Sequence, residues 1–167
     1  DIYAVYPCVA FHMTDLPYGR GGSPLQNLIV RGHRSTKITA IRVTEEFDAG
    51  PVYLKRALCL RGSAEEIYRR ATAVIFGSMM PAIIRGKIRL RPQKGKAVVF
   101  RRRTPEESSL IPVASVPEAY DMIRMLDAEV YPRAFLETRA LRFEFFAAEK
   151  KGRRLTARVE IGPKEAA

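Results

Sequence analysis

An open α/β core followed by a smaller α+β appendage is the architecture that this sequence predicts. Three patterns predict it. Up to Gly86, strand-like apolar runs and helical stripes follow one another in the order strand, loop and helix, strand, strand, helix. Two Ser-x-x-Glu capping boxes, Ser63 with Glu66 and Ser115 with Glu118, each open a helix. Alternating residues on both sides of positions 149–152 then give a hairpin signal. The expected division is a core over residues 1–90 and an α+β region over residues 91–167.

Residues 2–11 are an apolar run expected as a buried strand, with Pro7 giving an edge or irregular start. Residues 14–23 hold Pro17, Gly19, Gly21 and Gly22 and are expected as a loop. Pro24 suits the first turn of a short helix over 24–30, where its missing N–H has no helical partner to lose. Residues 32–36 form a polar turn, 38–43 alternate toward a strand, and 52–60 form another. The helix opened by Ser63 carries Ile67, Ala71, Val74, Ile75 and Met79 along one face. Pro81 should kink it and Gly86 should end it. Met79 and Met80 are expected as core filler rather than a cofactor contact. Beyond Gly86, 97–100 is a short strand, the Ser115 helix runs through Met122 and Leu126, and 139–146 with 153–161 make the hairpin.

A chain of 167 residues has the length for one domain with a small appendage, and 47% hydrophobic residues exclude a disordered chain. Cys8 and Cys59 sit in apolar runs without metal-ligand neighbours, so they are expected as reduced core thiols of a cytoplasmic protein, with no metal site. No apolar stretch is long enough to span a bilayer. The start, Asp1-Ile-Tyr-Ala-Val-Tyr, has neither a signal-peptide pattern nor an initiator methionine, and the expectation is a chain that begins inside a fold. The net charge of +11 attracts phosphates, whether in RNA, a nucleotide-sugar or a polyglutamylated cofactor, without choosing among them. The basic runs lack interleaved aromatics, so a solvated basic face is the plain alternative to a nucleic-acid platform.

Chemistry concentrates in two places. His12 ends an apolar run beside the basic glycine loop that contains Arg20, and Asp48 lies in the turn Glu46-Phe-Asp-Ala-Gly50 after another run. A histidine exchanges a proton near neutral pH, and a carboxylate can hold its ring in one orientation. Strand ends are where open α/β sheets place such groups. The bland alternatives are a packed or capping histidine and a turn-forming aspartate. The loop at 19–22 offers backbone N–H groups and one guanidinium to an anion, but matches neither phosphate-loop pattern. His33 sits in a charged turn and points to no chemistry.

Together these residues carry a resemblance. The segment 12–26 resembles the H-P-S-L-L-P-x-Y-R-G-x-x-P loop of the 10-formyltetrahydrofolate-dependent formyltransferases, with Leu16, Pro17, Arg20, Gly21 and Pro24 coinciding without a gap. The likeness continues through Ile29, Gly32, Thr36 and Thr39, and Asp48-Ala-Gly-Pro51 stands in place of the family's D-T-G-P. It covers residues 8–86 and is diffuse afterwards. It implies the C-terminal part of a Rossmann-like formyltransferase domain, with a small α+β appendage ending in a β-hairpin. The implied cofactor is 10-formyltetrahydrofolate, whose formyl carbon is attacked by a substrate amine. His12 would stabilise the tetrahedral intermediate and move its proton, and Asp48 would orient the histidine or an ordered water. By the same resemblance Thr44, Glu45, Glu46 and Phe47 would line the pterin pocket, while Arg20, Gly21, Gly22 and Gln26 would face the amine-bearing substrate.

Two departures from the family accompany the likeness. Ala10 stands where the family has an asparagine that donates to the oxyanion, and Thr14 is the nearest side chain able to substitute. The family's first strands and part of its folate pocket would precede Asp1. Residues 100–108, with the run Arg101, Arg102 and Arg103, resemble the sugar-directed members, so a nucleotide-linked amino sugar is the expected acceptor. The alternatives are methionyl-tRNA, which the charge supports, and a non-catalytic module whose hairpin over 139–161 could supply a homodimer interface.

Overall fold

The computed structural model describes residues 2–86, 88–129 and 131–164. The chain divides into two units, one of residues 1–61 with 67–102 and one of residues 62–66 with 103–167.

The first unit opens with a single helical turn, α1 (Ile2–Val5), then β1 (Val9–His12) and β2 (Tyr18–Gly21). The apolar run at 2–11 is therefore a strand only over its last part. Ile2 and Val5 are 74% and 75% exposed, so this run is not the buried strand that its composition predicts. Pro7 has no N–H to offer a ladder, and the neighbouring strand reaches back only to Val9, with Val43 N–H added to the Cys8 carbonyl. Helix α2 (Pro24–Val30) starts on Pro24 as expected, and Leu25, Leu28 and Ile29 fill the core beside Leu16.

Strands β3 (Ser35–Arg42) and β4 (Val52–Cys59) complete an antiparallel sheet in the order β1-β3-β4. Central β3 buries Ile38, Thr39, Ala40 and Ile41 in succession, as a strand covered on both faces does. Cys59 ends β4 pointing outward, because side chains alternate and Leu58 takes the inward position. Cys8 is half-buried, so neither thiol is the core cysteine that the apolar runs predict.

Helix α3 (Ala64–Val74) is capped reciprocally: Glu66 N–H donates to Ser63 Oγ at 3.3 Å, and Ser63 N–H donates to Glu66 Oε2 at 2.9 Å. It widens into a π-helical turn over Ile75–Met79 before α4 (Met80–Ile84). Pro81 cannot donate to the preceding turn, and a widened turn absorbs such a missing bond as the expected kink. Gly86, at φ 75°, closes the run. Ile67, Ala71 and Met79 from the predicted stripe are buried.

β5 (Val98–Phe100) is the short strand expected at 97–100, and it pairs in parallel with β2, which lies inside what the sequence predicts as loop. Close packing explains its glycines. A Cβ on Gly19 would stand 2.6 Å from the Phe100 ring, and one on Gly22 would stand 2.5 Å from Arg102 Cβ.

In the second unit, α5 (Val116–Leu126) starts at Ser115, whose side chain accepts from Glu118 N–H. A short 3-10 turn (Pro105–Ser108) is closed by a third capping box, Thr104 with Glu107. Strands β6 (Ala134–Glu137), β7 (Leu141–Lys151) and β8 (Arg154–Pro163) form an antiparallel meander. The hairpin is longer than its alternation predicts and turns at Gly152, with a bulge where Ala147 takes φ 49° and donates its N–H to Asp127 Oδ2. Arg142 stacks on Phe135 at 3.7 Å while binding Glu137 and Glu144. Among the described residues, no helix is long and apolar enough to cross a membrane.

Candidate active site

The end of β1 and the turn between β3 and β4 bring His12 and Asp48 together. His12 Nδ1 lies 3.4 Å from Asp48 Oδ1, with the two side chains 10% and 21% exposed. The other ring nitrogen, Nε2, lies 2.7 Å from the Gly19 carbonyl oxygen. Both neighbours are acceptors, so the imidazolium donates to each, while the neutral ring donates to one alone. Exchanging a proton with a substrate therefore requires one nitrogen to turn from its partner toward that substrate.

Asp48 has φ 54°, a left-handed backbone that short polar residues tolerate best. Its second oxygen, Oδ2, accepts the Gly21 N–H at 2.9 Å. The glycine loop is thereby tied to the acid rather than left open: Gly21 N–H serves Asp48, and Gly22 N–H donates to the Phe100 carbonyl at 3.0 Å. Gly50 presses the same turn against β3, since a Cβ there would meet the Arg42 carbonyl oxygen at 1.8 Å.

Arg20 points its guanidinium at two partners. Nε and Nη2 donate to Gln93 Oε1 at 3.2 and 2.9 Å, and Nη1 donates to Glu46 Oε1 at 2.9 Å. Thr44, Glu45, Glu46 and Phe47 all lie exposed on the turn, with Phe47 89% exposed. Gln26 is buried in α2 with its amide toward the Tyr68 hydroxyl at 3.4 Å. Ala10 pairs with Ile41 inside the sheet. Thr14, the candidate replacement for an oxyanion donor, is fully buried and gives its hydroxyl proton to the Gly19 carbonyl at 3.2 Å. His33 lies apart, against the Tyr18 hydroxyl at 3.1 Å.

Three contributors escape the sequence. Buried Thr39 accepts Leu16 N–H and donates to the Thr14 carbonyl at 2.6 Å, fixing the loop that follows His12. Asp15 binds Lys37 at 2.9 Å and Lys55 at 2.5 Å. Burial works to raise its carboxyl, but the hydrogen bonds and charges of Lys37 and Lys55 outweigh burial and hold it below its ordinary value. Gln93 lies in a run with neither helical nor strand periodicity, so no local pattern marks it.

Comparison with known proteins follows the same line. Residues 105–162 match the family described as methionyl-tRNA formyltransferase, C-terminal domain. The methionyl-tRNA formyltransferase of Lactobacillus acidophilus is 29% identical over 147 residues, which are 84% of this chain and 46% of that protein. The chain thus spans about half the length of this known relative. The solved methionyl-tRNA formyltransferase from Clostridium thermocellum is 48% identical with a TM-score of 0.94, covering 98% of this chain and 72% of that one. The N-formyltransferase from Helicobacter canadensis, solved with folinic acid and dTDP-3-aminofucose, covers 81% of this chain and 61% of its own at a TM-score of 0.57. At 12% identity it shares the fold alone.

Proposed function

The chain belongs to the methionyl-tRNA formyltransferase family, and from that premise we propose that it serves formyl transfer from 10-formyltetrahydrofolate to the amine of methionyl-tRNA. The observation that carries the reading is the 48% identity over 98% of the chain, together with a site that keeps His12 and Asp48 paired. The amino-sugar acceptor favoured by residues 100–108 has weaker support, because the sugar-bound neighbour resembles the chain in fold only. A cytoplasmic setting is part of the same proposal.

The residues present suit a folate. Phe47 offers an exposed aromatic face beside Asp48 in the chain, and a flat pterin ring stacks favourably on such a face. When bound, 10-formyltetrahydrofolate supplies the formyl carbon. Asp48 holds the His12 ring through Nδ1, fixing where the opposite nitrogen points. His12 Nε2, once released from the Gly19 carbonyl, takes the proton that the attacking amine gives up and returns it to the departing nitrogen. Arg20, held by Gln93 and Glu46, would offer its guanidinium to the anionic acceptor on leaving Glu46.

The test offers charged initiator tRNA and a panel of nucleotide-linked amino sugars to the full-length protein with 10-formyltetrahydrofolate. Formylmethionine on the tRNA is the expected product. Formylation of a sugar alone, or of neither acceptor, overturns the reading.

A further inference from the structure

We propose that Gln93 is a positioning residue that sets the His12–Asp48 pair, a role that rests on the formyl-transfer reading. Its carboxamide is saturated. Nε2 donates to the Asp48 carbonyl at 2.7 Å and to the Gly50 carbonyl at 2.9 Å, while Oε1 accepts from Arg20 Nε and Nη2. A glutamine amide has two N–H groups and two lone pairs, and all four are engaged.

The placement of these bonds gives them their consequence. Asp48 holds a left-handed backbone that a residue with a Cβ keeps only where its surroundings over-determine it. The two bonds from Gln93 fasten the turn at that residue's own carbonyl and again at the Gly50 carbonyl two residues on. With the backbone fixed, the carboxylate directs Oδ1 to His12 Nδ1 and Oδ2 to Gly21 N–H. The opposite end of the same amide holds Arg20, the residue before Gly21. One side chain thus connects the acid's turn to the loop that the acid grips.

Gln93 is delivered by backbone. Two residues earlier, Arg91 exchanges both bridge bonds with Val52, N–H to carbonyl at 3.0 Å and carbonyl to N–H at 2.7 Å. Val52 begins β4 immediately after the Asp48 turn, so the segment carrying Gln93 is fastened beside its target. No other side chain meets the geometry: asparagine is one carbon shorter, glutamate cannot donate, and lysine cannot accept.

The test compares wild type, Gln93→Glu and Gln93→Leu in the 167-residue chain. The glutamate keeps an acceptor for Arg20 but turns oxygen toward two carbonyls; the leucine removes both ends. In each variant, hydrogen exchange at the Gly21 amide is expected to quicken about tenfold or more, the scale of one lost hydrogen bond. The His12 ring ¹⁵N resonances should move with it, while the amides of Ile38 and Ala40 keep their protection. In formyl transfer, Gln93→Glu should lower kcat about tenfold with KM for the folate within about twofold. Unchanged Gly21 exchange and His12 resonances in folded Gln93→Glu overturn the proposal. So does loss of β3 protection in that variant, which would make Gln93 a general prop of the fold. Absence of transfer by wild type defeats the transfer reading instead and leaves the Gly21 and His12 measurements to decide on Gln93.

Discussion

At the scale of single residues, His12 is held between two acceptors and Asp48 is one of them. The pair therefore makes a sharper prediction than either residue alone. His12→Ala should lower formyl transfer by about 10²–10⁴, the usual worth of a positioned acid–base group. Far-ultraviolet circular dichroism should be unchanged, because the ring ends a strand rather than filling the core. Asp48→Asn keeps a residue type that accepts φ 54°, so it should fold and yet lose most of its turnover. Wild-type turnover in folded Asp48→Asn would remove the acid from the mechanism. Ala10 raises the opposite question. Thr14, the candidate substitute for the family's donor, gives its hydroxyl proton to the Gly19 carbonyl. Ala10→Asn should raise kcat, by up to roughly the 10²–10³ that one oxyanion donor contributes. A steady or lower rate would mean that the site is organised around alanine.

At the scale of elements, Asp15 fastens the loop after β1 to β3 through Lys37 and to β4 through Lys55, which also donates to the Leu16 carbonyl. A carboxyl held below its unfolded value stabilises the fold above that value and loses the contribution as pH falls through the folded one. Wild type should therefore exceed Asp15→Asn in urea midpoint at neutral pH, with the gap closing below about pH 3.9. The side chain is 41% exposed, so solvent screening limits the gap to less than about 1 kcal/mol. A gap that stays constant into strong acid would show that the carboxylate charge is not its source. The elements divide by how local their causes are. The Ser63 and Ser115 helix starts, Pro24 at the head of α2 and the β7–β8 hairpin follow from neighbours within a few residues, and they are legible in sequence. Strand β2 is not, because Tyr18 to Gly21 has glycine at two of four positions and becomes a strand only by pairing with Val98 to Phe100. Residues 2–6 show the converse: their apolar composition suits a strand, but no described strand pairs with them. In the site, His12 stands out by residue type at the end of a strand and Asp48 in the turn that follows another. Gln93 acts through contacts 45 residues away in the chain and leaves no local mark.

At the scale of the whole molecule, the net charge of +11 becomes decisive once the acceptor is treated as a polyelectrolyte. A nucleotide-linked sugar offers a pair of phosphates, whereas tRNA offers a long row of them. Each phosphate neutralised releases counterion, so log K against log salt falls by about 0.7–0.9 per contact. The candidate contacts include the exposed turn of the β7–β8 hairpin, where Lys150, Lys151, Arg153 and Arg154 stand together. If that turn meets tRNA phosphates, replacing all four by alanine should reduce the slope by roughly 3. Binding should weaken alike for different tRNA sequences, because phosphate contacts carry no sequence information. The hairpin ladder itself should persist, since the four side chains project from its solvent-exposed end. Parallel salt plots for wild type and variant would exclude the turn from the tRNA interface. A wild-type slope no steeper than about 2 would point instead to an acceptor with few phosphates, the nucleotide-linked sugar that residues 100–108 predict.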